Sequence, residues 1–206
     1  MFAIGCFAVV AENVSSRRPI TKFDQQQAER FYEYSTTHPD VWDFAIWITD
    51  LGSGRPRTIV IVGVALFLLL EGRCRLALFW GATQYLLKEI VAVSKDMFEC
   101  PRPHFDTASY IVGGWSFPSG HSAGVMATYG MIAFLVAMRW PDRWFRWPVI
   151  AGLGSIILMV GLSRMLLGVH FFTDVVGGFL LGLGYVSLCV AGVELGRRVY
   201  VSRTPG

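Results

Sequence analysis

Five apolar stretches, at 57–71, 76–94, 122–138, 148–167 and 169–196, leave this chain few folds to choose from. A helix needs about 20 mostly apolar residues to cross some 30 Å of hydrocarbon. The last four stretches meet that length, and the first meets it if the helix begins in 52–56. The expectation is an all-α integral membrane bundle of five to six transmembrane helices, with further helices lying at the outer face. Composition agrees with one compact membrane domain over 1–206: 53% of residues are hydrophobic, 22 are Gly and the mean hydropathy is +0.48. The net charge of +3 forms no basic stripe, so nucleic acid is not an expected partner. Cys6, Cys74, Cys100 and Cys189 show neither metal nor redox spacing. They read as packing residues or reduced thiols.

Residues 1–10 are apolar but span only about 15 Å as a helix. They read as a short or truncated first helix, or as the remainder of one that starts upstream. No positive stretch precedes them, which disfavours a secretory signal. Residues 11–56 are polar and aromatic, with Phe23, Arg30, Phe31 and Tyr34 before Pro39 and with Trp42, Phe44, Ile46 and Trp47 after it. Such a segment suits the outer membrane interface, although its aromatics would equally serve to pack on the bundle. Residues 49–54 read as a turn or the start of a helix, and 57–197 form the helical core.

Basic residues crowd the short connections: Arg73 and Arg75, then Arg139, Arg143 and Arg146, and finally Arg197, Arg198 and Arg203 in the tail. That density marks the cytoplasmic side. Three polar clusters then fall together on the other side. Lys95 and Arg102-Pro103 follow the second long stretch, Pro118-Ser119-Gly120-His121 open the next, and Ser163-Arg164 with His170 and Asp174 bracket the last two. The chain crosses the membrane repeatedly between these clusters and still returns them to one plane.

These three clusters, in this order and spacing, resemble the signature of the type 2 phosphatidic acid phosphatase superfamily over roughly residues 20 to 197. Lys95, Arg102, Ser119, Gly120, His121, Arg164, His170 and Asp174 all match it. The resemblance implies a membrane phosphatase acting on lipid phosphate monoesters or diphosphates, with undecaprenyl diphosphate, phosphatidic acid or phosphatidylglycerol phosphate as candidates. Small size and short loops look most like bacterial members, which implies the inner (plasma) membrane with the active site on the periplasmic face.

The residue chemistry supports that expectation. His170 and Asp174 lie one helical turn apart, so the carboxylate can take the proton of one ring nitrogen and leave the other free to attack phosphorus. His170 is thus the expected nucleophile, forming a phosphohistidine. His121 is the expected acid for the leaving group and base for the attacking water. Lys95, Arg102 and Arg164 supply positive charge, Ser119 a hydroxyl, and Gly120 close backbone approach at a helix N-terminus. With those cations in place, neither a metal nor a cofactor is expected.

Lys88 and Glu89 are charges inside an apolar stretch, costly unless they pair or face a cavity. Lys88 lies about 10 Å deeper than Lys95, where it floors a cavity or, as the favoured reading, plays a structural part. His104 is given no role. Other readings are a catalytically inactive lipid-binding or scaffold relative, an anion site like that of vanadium haloperoxidases, and a transporter. The intact histidine pair, the spanning stretches and the lack of an inverted repeat weigh against these in turn. Oligomeric state and the preferred lipid are not legible.

Overall fold

The computed structural model describes residues 2–16, 20–105, 110 and 112–203. Among these every regular element is helical: α1 (Phe2–Ser15), α2 (Ile20–Thr37), α3 (Pro39–Asp50), α4 (Gly54–Leu70), α5 (Cys74–Phe98), α6 (Gly120–Arg139), α7 (Arg146–Leu166) and α8 (Phe172–Arg203). Four of them, α5, α6, α7 and the Phe172–Gly192 part of α8, are long and apolar enough to cross a membrane. α3 and α4, bent by 40° at their junction, meet that length and apolarity only as a pair, so the count is four helices, or five where the pair is taken as one span. Among the described residues the all-α membrane bundle stands as expected, with four to five candidate spans where five to six were expected.

The helix limits follow from local chemistry. Pro39 cannot donate a backbone hydrogen bond and stands at the first turn of α3, where none is needed. The expected turn at 49–54 is the bend between α3 and α4, and the helix resumes at Gly54, before the apolar stretch begins. The short apolar helix expected at the start runs past Val10 through Glu12 and Asn13 to Ser15. It lies along α8, where Ile4 approaches Gly184.

α6 is the hub, packed on α5, α7 and α8, and its Ala123, Val125 and Ala127 are fully buried. Lipid is as apolar as leucine, so close van der Waals fit and interhelical hydrogen bonds must hold such helices together. Gly178 and Gly182, four apart on α8, provide the fit: a Cβ at either would press into α6, against the carbonyls of Ser119 and Ala123. Hydrogen bonds tie the remaining pairs. Trp80 Nε1 donates to the Ile61 carbonyl at 2.8 Å, Thr128 Oγ1 to Gln84 Oε1 at 2.8 Å, and Tyr129 Oη to the Leu51 carbonyl at 3.0 Å. Each contributes roughly 0.6 kcal/mol in a bilayer.

Residues 20–50 are structured more firmly than an interfacial segment requires. On α2, Asp24, Ala28, Tyr32 and Ser35 recur at helical spacing and are all buried. Ser35 Oγ donates to the Leu166 carbonyl at 2.6 Å, and Tyr32 stacks on Phe105 with ring centroids 4.1 Å apart. Phe23, Tyr34, Phe44 and Trp47 remain exposed. Packing and interface thus divide the aromatics between them, and α2 closes the end of the bundle where α7 ends and α8 begins.

Candidate active site

That end of the bundle gathers the polar clusters. Lys95 lies in the last turn of α5, Ser119 caps α6, Arg164 lies in the last turn of α7, and Asp174 lies in the first turn of α8. Between α7 and α8 the chain turns through Gly168, at φ +67°, with Tyr32 and Phe105 pressed against its α-carbon. A side chain there would be strained and would also collide. The turn presents His170, only 2% exposed, to the centre of the cluster.

His170 is held at both ring nitrogens. Nδ1 faces Asp174 Oδ2 at 3.3 Å and Ser116 Oγ at 3.4 Å, whereas Nε2 faces Arg102 Nη1 at 3.2 Å. A guanidinium only donates, so Nε2 is the acceptor and Nδ1 carries the proton, directed at the carboxylate. The same Asp174 Oδ2 accepts from Ser116 Oγ and, at 2.8 Å, from the backbone N–H of Phe171. Burial, and then Arg102, Arg164 and Lys95, push the His170 pKa well below its ordinary value. The imidazole is therefore a neutral base whose unprotonated nitrogen faces the cations.

The cations fall into two groups. Arg102 and Lys95 hold the loop before α6. Arg102 donates to the carbonyls of Gly114 at 3.0 Å, Trp115 at 3.1 Å and Val169 at 2.7 Å, and Lys95 Nζ donates to those of Trp115 at 2.5 Å and Ser116 at 3.1 Å. Arg164 is 1% exposed; its Nη1 donates to Thr49 Oγ1 at 2.8 Å, and its guanidinium lies 5.5 Å from the Tyr110 ring centre. Its buried Nε has no acceptor among the described residues. Three cations against Asp174 leave the cluster electropositive, as an anion site requires.

At the start of α6, Ser119 Oγ accepts from the Ser122 hydroxyl at 3.0 Å and its backbone N–H at 3.4 Å, leaving the Ser119 hydroxyl hydrogen free to donate elsewhere. Gly120 and His121 open the helix, so their amides have no intrahelical acceptor. A Cβ at Gly120 would meet Val91 only at 3.5 Å. Packing alone does not call for glycine there. His121 stands in the wall of a cavity, and the ring edge approaches Gly52 of the α3–α4 bend.

The eight residues singled out by spacing thus surround one end of the bundle. Four residues in or beside this cluster were not singled out. Ser116 lies in a polar linker, and Thr49 lies among aromatics, so neither has a spacing to betray it. Asp24, which accepts from the N–H (3.1 Å) and hydroxyl of Thr173, stands four and eight residues before Ala28 and Tyr32. That periodicity could have flagged a carboxylate on a buried face. Burial and neighbouring Asp174 raise the Asp24 pKa, and the Thr173 hydrogen bonds act against them. The fourth, Arg57, lies against Gly124 beside the His121 cavity. Lys88, expected to be structural, lines that cavity too, while His104 is exposed.

The fold and the cluster together define a membrane-type helical bundle with a histidine–carboxylate pair ringed by cations at one end. The pattern of the PAP2 superfamily matches residues 72–197, more than half the chain, and the chain belongs to that superfamily. It is similar to phosphatidylglycerophosphatase B of Bacillus subtilis, 37% identical over 130 residues that make up 61% of either chain. It also resembles sphingosine-1-phosphate phosphatase 2 of mouse, 30% identical over 121 residues, which are 55% of this chain and 32% of that one. The chain thus matches less than two thirds of the length of these curated relatives. Among solved structures, a transmembrane PAP2 type phosphatidylglycerolphosphate phosphatase from Bacillus subtilis superposes with a TM-score of 0.83 at 27% identity, over 93% of this chain and 94% of that one. LpxE of Aquifex aeolicus superposes with a TM-score of 0.56 at 25% identity, over 79% and 93%.

Proposed function

We propose that this protein is an integral membrane phosphatase that hydrolyses lipid phosphate monoesters or diphosphates through a phosphohistidine on His170. The observation that carries the proposal is the pair of contacts on that ring: Asp174 and Ser116 at Nδ1, Arg102 at Nε2. They leave a neutral nucleophilic nitrogen directed at cations, where a phosphate would sit. Nε2 attacks phosphorus as the bond to the leaving oxygen breaks, and His121 gives that oxygen a proton. His121 then takes a proton from water, which attacks the phosphohistidine, frees inorganic phosphate and restores the imidazole. Arg102, Arg164, Lys95, the Ser119 hydroxyl and the amides at Gly120 and His121 neutralise the charge on the phosphorus oxygens. Fixed donors of this kind are worth several kcal/mol in a transition state. A metal ion is not needed for that charge.

The names of the relatives support a lipid phosphate substrate, and phosphatidylglycerol phosphate is the first to test. The positive-inside pattern supports a bacterial inner-membrane protein with its site on the periplasmic face. Arg73 and Arg75, with Arg139, Arg143 and Arg146, stand at the helix ends opposite the site. The test is phosphate release by the purified protein in detergent, in excess chelator, from phosphatidylglycerol phosphate, phosphatidate and undecaprenyl diphosphate. Turnover of at least one, lost in His170→Ala, is expected. No release from any, or release that needs added magnesium, contradicts the proposal.

A further inference from the structure

A cavity of about 210 Å³ opens beside His121 where α4, α5 and α6 meet. One water needs only ~10–15 Å³. Arg57, Gln84 and Lys88 line it together with His121, and the chemistry described so far uses none of those three. The Arg57 guanidinium lies over Gly124, where a Cβ would collide with Nη1 and Cζ. Gly124 follows His121 by three residues, so the guanidinium stands roughly 5 Å, one helical turn, below the imidazole.

Two donors beside this cavity are unmatched. Arg57 Nε and Gln84 Nε2 are buried without an acceptor among the described residues. Gln84 is 9% exposed, and its Oε1 already accepts from Thr128. The nearby Tyr129 hydroxyl donates its proton to Leu51. No described carboxylate pairs with Arg57 or Lys88, and Lys88, on the exposed flank of α5, forms part of the cavity wall. An unpaired cation within a helical bundle costs several kcal/mol, and an unsatisfied buried donor about 1–3 kcal/mol. A guanidinium that served packing alone would be matched. Such groups inside membrane helices mark ligand paths, and an unmatched guanidinium and amide with a lysine in the same wall call for an anion.

The neighbouring residue says which anion. His121 protonates the oxygen that leaves phosphorus, so whatever that oxygen carries lies on its side of the site. We propose that Arg57, Gln84 and Lys88 form a second anion subsite for a phosphate borne by the leaving group, so that lipids with two headgroup phosphates are the preferred substrates. The inference rests on the phosphatase reading and deepens it. Two sources share this chemistry. In a lipid diphosphate, His170 takes the terminal phosphoryl group, the P–O–P bridge breaks and the lipid monophosphate departs. In phosphatidylglycerol phosphate the terminal monoester breaks, and the departing phosphatidylglycerol carries its phosphodiester. In both, His121 supplies the proton and water later releases phosphate from His170. The diacylglycerol that leaves phosphatidate carries no phosphate.

The experiment compares kcat/KM of the full chain in detergent on farnesyl diphosphate, phosphatidylglycerol phosphate and phosphatidate. Wild type is expected to favour at least one two-phosphate substrate over phosphatidate by tenfold or more. Arg57→Gln and Gly124→Ala should shrink that preference by tenfold or more, mainly through KM, with Arg57→Lys retaining part of it. Arg57→Lys also serves if Arg57→Gln does not fold. Loss with farnesyl diphosphate alone assigns the subsite to an anhydride phosphate, loss with phosphatidylglycerol phosphate alone to a phosphodiester, and loss with both to either. Equal loss on all three substrates overturns the subsite and leaves the phosphatase reading standing. Should wild type release phosphate from none of them, that reading fails, and the subsite is tested by binding. Pyrophosphate should then raise the Tm of wild type at a tenfold lower concentration than phosphate, and Arg57→Gln should abolish the margin. An equal response to both anions overturns the subsite.

Discussion

Ser116 and Asp174, 58 residues apart in the chain, are joined by a hydrogen bond from the Ser116 hydroxyl to Oδ2 of the carboxylate. The bond ties the loop before α6 to the first turn of α8, and the His170 ring is set against both groups. Orientation of the His170 ring therefore depends on a linker residue as well as on its own helix.

Ser116→Ala is expected to lower kcat about tenfold with little change in KM, because the carboxylate loses one of its fixing donors. Asp174→Asn removes the acceptor for Nδ1–H and should cost far more, of order 10²–10⁴ in kcat, as in other histidine–carboxylate pairs. Steady-state kinetics with purified variants would decide it. Equal activity of Ser116→Ala and wild type contradicts a positioning role for Ser116.

The pH profile reports on the cations around His170. Its pKa is held well below the ordinary value of about 6.5 by burial first, then by Arg102, Arg164 and Lys95. Arg102→Gln removes one of those cations, so the His170 pKa rises and the acid limb of kcat/KM moves to higher pH. The second ionisation of the phosphate near pH 6 is common to both proteins, so the displacement between them is the readout. The sign for stability follows as well. The unfolded chain binds more protons at His170 below pH ~6.5, so this group makes the fold less stable as pH falls through that value. An unmoved acid limb in Arg102→Gln contradicts the electrostatic account.

Much of this was legible in the sequence for a physical reason. Spanning helices must be apolar for about 20 residues, so α5, α6, α7 and α8 declare themselves, and charges at their ends stand out against that background. Lys95, His121, Arg164 and His170 are readable on those grounds and converge as their positions required. Ser116, Thr49 and Asp24 act through partners distant in the chain, at 174, 164 and 173, and only the packed bundle brings them near. Arg57 stayed hidden for a different reason. It falls in the basic run Arg55-Pro56-Arg57, which reads as a solvated helix start. The bend at 51–53 draws that start into the bundle against Gly124.

Sidedness can be read by labelling. A single cysteine introduced at Gly113, beside Arg102, should react with an impermeant thiol reagent in intact cells, in a background without the four native cysteines. One introduced at Asp142, between α6 and α7, should react only after permeabilisation. The opposite pattern moves the chemistry to the cytoplasm and contradicts the proposed topology.

The part given to His121 depends on the leaving group. A nitrophenolate leaves without a proton, whereas a lipid alkoxide does not. His121→Ala should therefore lose activity on a lipid monoester at least tenfold more severely than on p-nitrophenyl phosphate. Equal losses on both contradict its role as the acid.

The central claim is that His170 carries the phosphoryl group, and rapid acid-free quenching with ³²P-labelled lipid phosphate tests it most directly. Wild type should yield an acid-labile, base-stable phosphoenzyme within the first turnover, and His170→Ala should yield none while keeping its fold. A phosphoenzyme of unchanged amount in His170→Ala would show that another residue is the nucleophile.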